Sequence, residues 1–200
     1  MDVSQSIQKR VEWIRYLLKD SGAKGIIYGN SGGKDCTLVG ALCKLATPNV
    51  LGVIMPCQSV QNYGSDRDDA ILAGKCFDIE QIEIDLSKTK QALLDALGDN
   101  LAKDSAGDNA IKMAGVNINP RLRMTTLYAL GQARGYLVAG TGNLDEITLG
   151  YFKVGRRRAR FQPHCRPHRC RSVRAFALSK RSDFHHRQSS FRRTLSRSNR

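Results

Sequence analysis

The segment from residue 25 to residue 37 constrains the fold of this chain more than any other stretch. Within this short span an apolar run gives way to a polar, glycine-containing loop, and the loop gives way to a helical pattern. An apolar run ends at Gly29, the loop Asn-Ser-Gly-Gly-Lys-Asp follows, and leucines at helical spacing begin at Leu38. This order predicts a strand, a tight loop and the first turn of a helix. Glycines let backbone N–H groups approach an anion closely, and a helix N-terminus favours negative charge. The segment therefore predicts a phosphate-binding loop, with Ser31 and Lys34 as additional donors.

The loop differs from a Walker A loop at two positions. Tyr28 stands six residues before Lys34, where that motif has Gly, and Asp35 stands where it has Ser or Thr. A carboxylate repels phosphate unless a divalent cation lies between them, so Asp35 predicts bound Mg²⁺. The alternative is a Gly-rich turn of a Rossmann-like domain that has no nucleotide chemistry.

Strand and helix patterns alternate through residues 1–152 and predict a doubly wound parallel sheet. The polar segment 98–110 is expected to be mobile. No apolar run is long enough to span a membrane and no leader pattern precedes the first helix, so a cytoplasmic location without membrane contact is expected, with reduced cysteines. Helices are expected over 3–18, from the loop to about 46, from 66 onward, over 88–97 and from about 120 to 134, and strands over 26–29, 50–55, 82–86 and 136–139.

Two further polar clusters lie on the predicted frame of strands and helices. Arg121 and Arg123 are predicted in the first turn of a helix that begins near Pro120, where positive charge opposes the helix dipole. This placement favours anion binding, with ordinary surface charge as the alternative. The segment 140–146 directly follows the last predicted strand and brings a hydroxyl and two acids to the edge of the sheet that carries the loop. One of these acids is expected to be the second Mg²⁺ ligand.

These motifs resemble a known family. Residues 31–36, Ser-Gly-Gly-Lys-Asp-Cys, are similar to the Ser-Gly-Gly-x-Asp-Ser loop of the N-type ATP pyrophosphatases, which cleave ATP between its α and β phosphates. That loop also occurs in GMP synthetases, argininosuccinate synthetases and tRNA-thiolating enzymes. Residues 119–129 and 140–152 select among these enzymes, because they closely resemble ammonia-dependent NAD⁺ synthetases. The resemblance covers residues 1–152, which would form the N-terminal portion of the ATP pyrophosphatase domain.

The resemblance implies a Rossmann-like fold of the adenine nucleotide alpha hydrolase type and a cytoplasmic homodimer. It also implies a ligase that forms a carbon–nitrogen bond: ATP adenylates deamido-NAD⁺, pyrophosphate leaves, and ammonia displaces AMP to give NAD⁺. Asp35 and Lys34 are the implied catalytic residues, Asp35 and Glu146 the implied Mg²⁺ ligands, and Arg121 the implied contact of deamido-NAD⁺. The implied ATP contacts are Gly29, Asn30, Ser31, Gly32, Gly33, Lys34, Asp35, Cys36 and Thr141.

Two loop residues depart from the family pattern. Asn30 stands where the family usually has an apolar residue, and Cys36 stands where the loop usually has Ser. A thiol donates hydrogen bonds more weakly than a hydroxyl, so a weaker hold on phosphate is expected.

Residues 153–200 differ in composition from the rest of the chain. Residues 1–152 carry 16 Lys and Arg against 17 Asp and Glu, whereas residues 153–200 carry 16 Lys and Arg and the single acid Asp183. After Phe152 the family pattern would continue Thr-Lys-Trp-Gly-Asp-Gly, but the chain reads Lys-Val-Gly-Arg-Arg-Arg. A net loss of two bases explains the change, because residues 162–168 in the shifted frame permit Asn-Pro-Ile-Ala-Asp-Leu-Thr, the next family segment. The tail is therefore expected to be disordered or non-native, and the chain weakly active or inactive.

Other functions remain open for the tail and for the loop. An Arg- and Ser-rich tail could neutralise nucleic-acid phosphates, although the shifted frame makes nucleic acid an unexpected partner. His164, Cys165, His168 and Cys170 could be taken for a zinc site, but their spacing matches no standard one. The loop by itself also fits a tRNA-thiolating or GMP-synthetase-like enzyme.

Overall fold

The computed structural model describes residues 3–57, 65–103 and 105–142. Helices and strands alternate through these ranges, and a short 3-10 helix covers Gly98–Leu101. The helices are Val3–Ser21 (α1), Lys34–Ala46 (α2), Ser65–Cys76 (α3), Ser87–Leu97 (α4) and Asp108–Arg134 (α5). The strands are Gly25–Gly29 (β1), Val50–Ile54 (β2), Glu80–Glu83 (β3) and Tyr136–Ala139 (β4).

The four strands form one parallel sheet in the order β3-β2-β1-β4. The chain runs outward from β1 to β3 and then returns to place β4 on the other side of β1. This reversal makes a topological switch point between β1 and β4. In open α/β sheets, ligands bind at the carboxyl ends of the strands that flank such a point.

Helices cover both faces of the sheet. On one face, α1 and α2 pack on β1 through a buried apolar cluster that includes Ile14, Tyr28 and Leu42. On the other face, Leu122 and Leu127 of α5 pack against a cluster that contains Ile27. Because both faces are covered, β1 and β2 are apolar and buried along almost their whole length. The doubly wound parallel fold predicted from the sequence is confirmed.

Helix α5 shows the largest difference from the predicted elements. Its predicted start near Pro120 is wrong, since the helix begins at Asp108 and Pro120 lies in its interior. The prediction failed because proline is common in the first helical turn, where its missing N–H costs nothing. The segment 98–110 contains the 3-10 helix and the first residues of α5, and its mobility stays a prediction. The predicted end is confirmed, because Gly135 adopts a left-handed conformation with φ +67 as the C-cap.

The sequence also predicts reduced cysteines, the bounds of the third strand and no membrane-spanning segment. Cys36, Cys43, Cys57 and Cys76 are free thiols, as predicted. Strand β3 begins and ends earlier than the predicted strand 82–86. Among the helices of residues 3–57, 65–103 and 105–142, none is long and apolar enough to cross a membrane.

Candidate functional site

The predicted phosphate loop lies at the carboxyl end of the central strand β1. The N–H of Asn30 donates to the backbone oxygen of Val53 at 2.8 Å, so the loop leaves the sheet beside β2. It ends where Gly33, with φ −70 and ψ 160, precedes the first residues of α2, Lys34 and Asp35. The N-cap residue of this helix is Gly33, so no N-cap side chain bonds to the first N–H groups of α2. An uncapped N-terminus that follows a glycine loop is a typical arrangement for binding an anion.

Gly32 packs the loop against the first turn of α3. Its φ of +76 lies in the left-handed region. A Cβ at this position would stand 2.5 Å from the backbone oxygen of Asp66 and 2.9 Å from the backbone nitrogen of Ala70. Only glycine meets both requirements. The path of the loop therefore depends on α3, a contact that the local sequence does not reveal.

Three loop side chains have the chemistry for a nucleotide phosphate. Ser31 and Lys34 are exposed, and Asp35 is half-buried. A carboxylate is a hard oxygen ligand of the kind that Mg²⁺ prefers, and Mg²⁺ usually takes one or two carboxylates together with phosphate oxygens. Asp35 fits that role, whereas its expected partner Glu146 lies outside the described residues. No cluster of three or more His, Cys, Asp or Glu side chains suited to a metal occurs in the part of the chain that the structure describes.

The thiol of Cys36 bonds within the loop. Its single S–H is shared between two acceptors, the backbone oxygen of Gly33 at 3.0 Å and Oδ1 of Asn30 at 3.4 Å, and Oγ of Ser31 lies 3.5 Å from Sγ. The residue is buried. In this conformation the thiol supports the loop, so a contact of Cys36 with phosphate would have to come from its backbone.

The two arginines of α5 lie in the middle of the helix, so their predicted place in its first turn is wrong. Because α5 begins earlier than predicted, these arginines do not lie at the positive end of the helix dipole. The argument for anion binding that relied on that position therefore no longer applies. Nη1 of Arg121 donates to the backbone oxygen of Asn117 at 2.6 Å. Nε of Arg123 donates to the backbone oxygen of Met55 at 2.9 Å, which joins α5 to the carboxyl end of β2. Arg123 thus approaches the ligand edge of the sheet, whereas the bond of Arg121 stays within α5, and the role of Arg121 in substrate binding stays a prediction.

A second thiol lies near these arginines. Sγ of Cys57, just past β2, donates to Oδ1 of Asn119 at 3.3 Å. Burial raises the pKa of the Cys57 thiol. This hydrogen bond attaches the segment after β2 to α5, a contact that the sequence did not indicate.

The segment that follows β4 lies at the same edge as the loop. Tyr28 pairs with Ala139, so Asn30 and Thr141 each stand two residues beyond this pair in adjacent parallel strands. Thr141 is half-buried. The predicted neighbourhood of loop and segment is therefore confirmed for Thr141, while residues 143–150 lie outside the described part.

The sheet order and the loop at its switch point define a doubly wound α/β protein with the arrangement typical of nucleotide-binding folds. A family model described as NAD synthase matches residues 6–163, and the chain belongs to this family. It is 39% identical over 149 residues to an NH(3)-dependent NAD(+) synthetase from Carboxydothermus hydrogenoformans, covering 74% of this chain and 58% of that protein. A second NH(3)-dependent NAD(+) synthetase, from Mycoplasmopsis pulmonis, is 43% identical over 143 residues, covering 71% of this chain and 51% of that protein.

Solved structures show the same fold. An NMN synthetase from Francisella tularensis superposes with a TM-score of 0.75 at 27% identity, covering 92% of this chain and 71% of that one. An NH3-dependent NAD synthetase from Campylobacter jejuni superposes with a TM-score of 0.73 at 28% identity, covering 90% and 73%. The chain spans between about half and three-fifths of the length of the curated relatives that it matches.

Proposed function

We propose that the intact protein makes NAD⁺ from deamido-NAD⁺, ATP and ammonia, as a ligase that forms a carbon–nitrogen bond. The supporting observation is the Ser-Gly-Gly-Lys-Asp loop at the carboxyl end of β1 in a chain of the NAD synthase family. The names of the two curated relatives carry the same activity. A cytoplasmic homodimer is part of the same proposal and follows from the family resemblance.

The reaction needs ATP because a carboxylate is a poor electrophile. In the first step, an oxygen of the nicotinate carboxylate attacks the α phosphorus of ATP, and the bond to the β phosphate breaks with loss of pyrophosphate. In the second step, the lone pair of ammonia attacks the activated acyl carbon, AMP leaves, and a proton is released from nitrogen. Both steps depend on holding the reacting atoms in line.

The chain contributes binding and charge neutralisation. The ammonium of Lys34 and the N-terminus of α2 would stabilise the negative charge that develops as pyrophosphate leaves. The Ser31 hydroxyl would donate to a phosphate oxygen. Asp35, with Glu146 as the proposed second ligand, would hold Mg²⁺, which supplies charge neutralisation on the phosphates. Arg121 and Thr141 remain the proposed contacts of deamido-NAD⁺ and ATP.

We also propose that residues 153–200 are translated out of the family's frame. The abrupt change to basic composition after Phe152 supports this proposal. It predicts that the chain as written forms little product, because groups that act as a positioned set lose their effect together. The genomic reading frame around codon 153 tests the proposal directly.

The deciding assay compares this chain with a version that has the frame restored at codon 153. NAD⁺ formation from deamido-NAD⁺, ATP, Mg²⁺ and ammonia is measured together with pyrophosphate release. We expect product from the restored chain, little from the chain as written, and none from a restored chain that carries Lys34→Ala. Equal rates from both chains would contradict the account of the tail. Absence of product from the restored chain would contradict the proposed synthetase function.

A second substrate belongs in the same assay. The similarity to a solved NMN synthetase favours testing nicotinate mononucleotide beside deamido-NAD⁺. Both substrates carry the same nicotinate carboxylate, so the chemistry would be unchanged. We expect deamido-NAD⁺ to give the higher kcat/KM, and a preference for the mononucleotide would reassign the substrate within the same reaction.

A further inference from the structure

Asn30 connects the phosphate loop to its neighbours through all four hydrogen-bonding positions of its amide. Nδ2 donates to Oε1 of Gln81 in β3 at 3.1 Å and to the backbone oxygen of Ala70 in α3 at 3.0 Å. Oδ1 accepts from the N–H of Gly32 at 3.1 Å and from the thiol of Cys36 at 3.4 Å. The side chain is buried, with an exposed fraction of 3%. A buried amide with two donors and two acceptors in use has one defined orientation.

Two glycines make room for the Gln81 side chain. Gly52 pairs with Tyr28 on one side and with Gln81 on the other, so the three residues form a row across one face of the sheet. A Cβ on Gly52 would lie 2.5 Å from Nε2 of Gln81, and a Cβ on Gly74 of α3 would lie 2.5 Å from its Cγ. The glutamine therefore occupies a space that exists because both neighbours lack side chains.

The orientation of the Gln81 amide follows from its bond to Asn30. Nε2 of Gln81 is buried, and the Gln81 side chain also interacts with the hydroxyl of Tyr28 across Gly52. Turning the amide over would place two N–H donors against each other at Asn30. The reversed orientation would lose the hydrogen bond from Asn30 Nδ2 and leave that buried donor unpaired, which carries a cost. The bond to Asn30 therefore favours the present orientation of the Gln81 amide.

The same contacts decide which loop groups can meet a ligand. The N–H of Gly32 points to Asn30 and the thiol of Cys36 points into the loop, so neither is directed outward. Ser31 and Lys34 remain exposed. The loop therefore presents a hydroxyl, an ammonium and the N-terminus of α2 on its solvent side.

We propose that Asn30 and Gln81 are positioning residues for the triphosphate of ATP. Their side chains do not touch the nucleotide, so the ATP contact that the resemblance implies for Asn30 would be limited to its backbone. The two side chains hold the loop in the conformation that presents Ser31, Lys34 and the first turn of α2. The proposal rests on the proposed ATP-dependent function. It also explains why a polar residue at position 30 is compatible with such a loop, since β3 supplies a matching polar partner.

The test uses the full 200-residue chain and measures binding of ATP with Mg²⁺ by calorimetry, well below the unfolding temperature. Gln81→Met should weaken binding by about fivefold to tenfold, the loss expected for one broken hydrogen bond. Asn30→Ala removes every hydrogen bond of the amide and should weaken binding at least as much. The double variant should bind no more weakly than the weaker single variant, because the two residues act as one pair. Gly52→Ala should weaken binding by pushing the Gln81 amide away from Asn30, although no residue of the loop itself is changed.

Asn49→Ala is the matched control. It removes an amide bond of similar length, from Nδ2 of Asn49 to the backbone oxygen of Lys24, at the opposite edge of the sheet. It should leave ATP binding unchanged whatever its effect on stability. Equal weakening by Asn49→Ala and Asn30→Ala would reduce the effect to general stability and overturn the proposal, as would unchanged binding in both Asn30→Ala and Gln81→Met.

Alkylation of Cys36 separates this proposal from the proposed function. Its rate relative to the exposed Cys76 is measured by peptide mass spectrometry without nucleotide. Asn30→Ala and Gln81→Met should raise the relative rate at Cys36 at least threefold, because the loop that buries it loses its support. If the chain as written binds no ATP, the restored chain tests the proposed function, and the alkylation rates decide alone whether the pair orders the loop. Unchanged rates would then overturn the ordering role.

Discussion

Asp35 is the residue that we expect to make ATP binding depend on Mg²⁺. Asp35→Asn removes the carboxylate that repels phosphate when the metal is absent and holds the metal when it is present. We therefore expect the substitution to weaken ATP binding about tenfold or more with Mg²⁺, and to leave it unchanged or stronger in EDTA. Calorimetry under both conditions checks this reversal. Asp68→Asn, an exposed acid in the first turn of α3, is the control and should show neither effect. Equal loss with and without Mg²⁺ would remove Asp35 from the proposed metal site.

Buried Cys43 predicts how stability responds to alkaline pH. Burial raises the pKa of this thiol above its ordinary value of 9.0, and burial likewise raises the pKa of Tyr28 above 10.0. Above pH 9 the thiol ionises in the unfolded chain but stays protonated in the folded one. The unfolded state then binds fewer protons, so the free energy of unfolding falls as pH rises, by up to about 1.4 kcal/mol per pH unit for one group.

Urea unfolding between pH 8 and 10, with a reductant present, tests this expectation. Cys43→Ala should lower stability at every pH through the lost packing, but the decline with pH should become shallower. The exposed Cys76→Ala should keep the full slope. An unchanged slope in Cys43→Ala would show that the thiol does not contribute to the alkaline loss of stability.

Helix α5 leads to a prediction about the stability of the protein. Pro120 lies inside this helix, where it removes one backbone hydrogen bond and disfavours the helix by about 3 kcal/mol relative to Ala. Pro120→Ala should raise the free energy of unfolding, by no more than that amount. Gly115→Ala is the comparator, because a Cβ there meets nothing within 4 Å and only the helix preference changes. Gly115→Ala should raise the free energy of unfolding by about 1 kcal/mol. Chemical denaturation measures both, and a gain from Pro120→Ala no larger than that from Gly115→Ala would show that the proline costs the helix little.

The whole molecule divides by charge at residue 152, which leads to a prediction about the tail. Residues 153–200 carry 16 basic residues against one acid, and such a segment repels itself and cannot build an apolar core. Removing it should leave the melting temperature of the remainder unchanged or higher. Calorimetric melting at low and high salt checks this, and high salt should reduce any gain. A marked drop in melting temperature, or DNA binding that disappears with the tail, would favour the nucleic-acid alternative.

Much of the fold was predictable because its signals are local. The strand, loop and helix start around residues 25–37 depend on a change in hydrophobic period and on paired glycines, which one stretch of sequence contains. The four strands and the parallel sheet followed from alternating periodicities in the same way. The family followed from residues 31–36, 119–129 and 140–152, which carry chemistry at fixed spacing.

From the sequence alone it was therefore possible to predict the parallel sheet, the position of the phosphate loop and the family. The tertiary structure decided how the loop is held. Nothing local marks Gln81 as the partner of Asn30, because they are far apart in the chain and meet only when β3 pairs with β2. Pro120 misplaced the start of α5 for a related reason, since packing on the sheet supports a helix through a residue that local preference would place at its first turn. A signal that depends on neighbours in space becomes visible only when the sheet order is known.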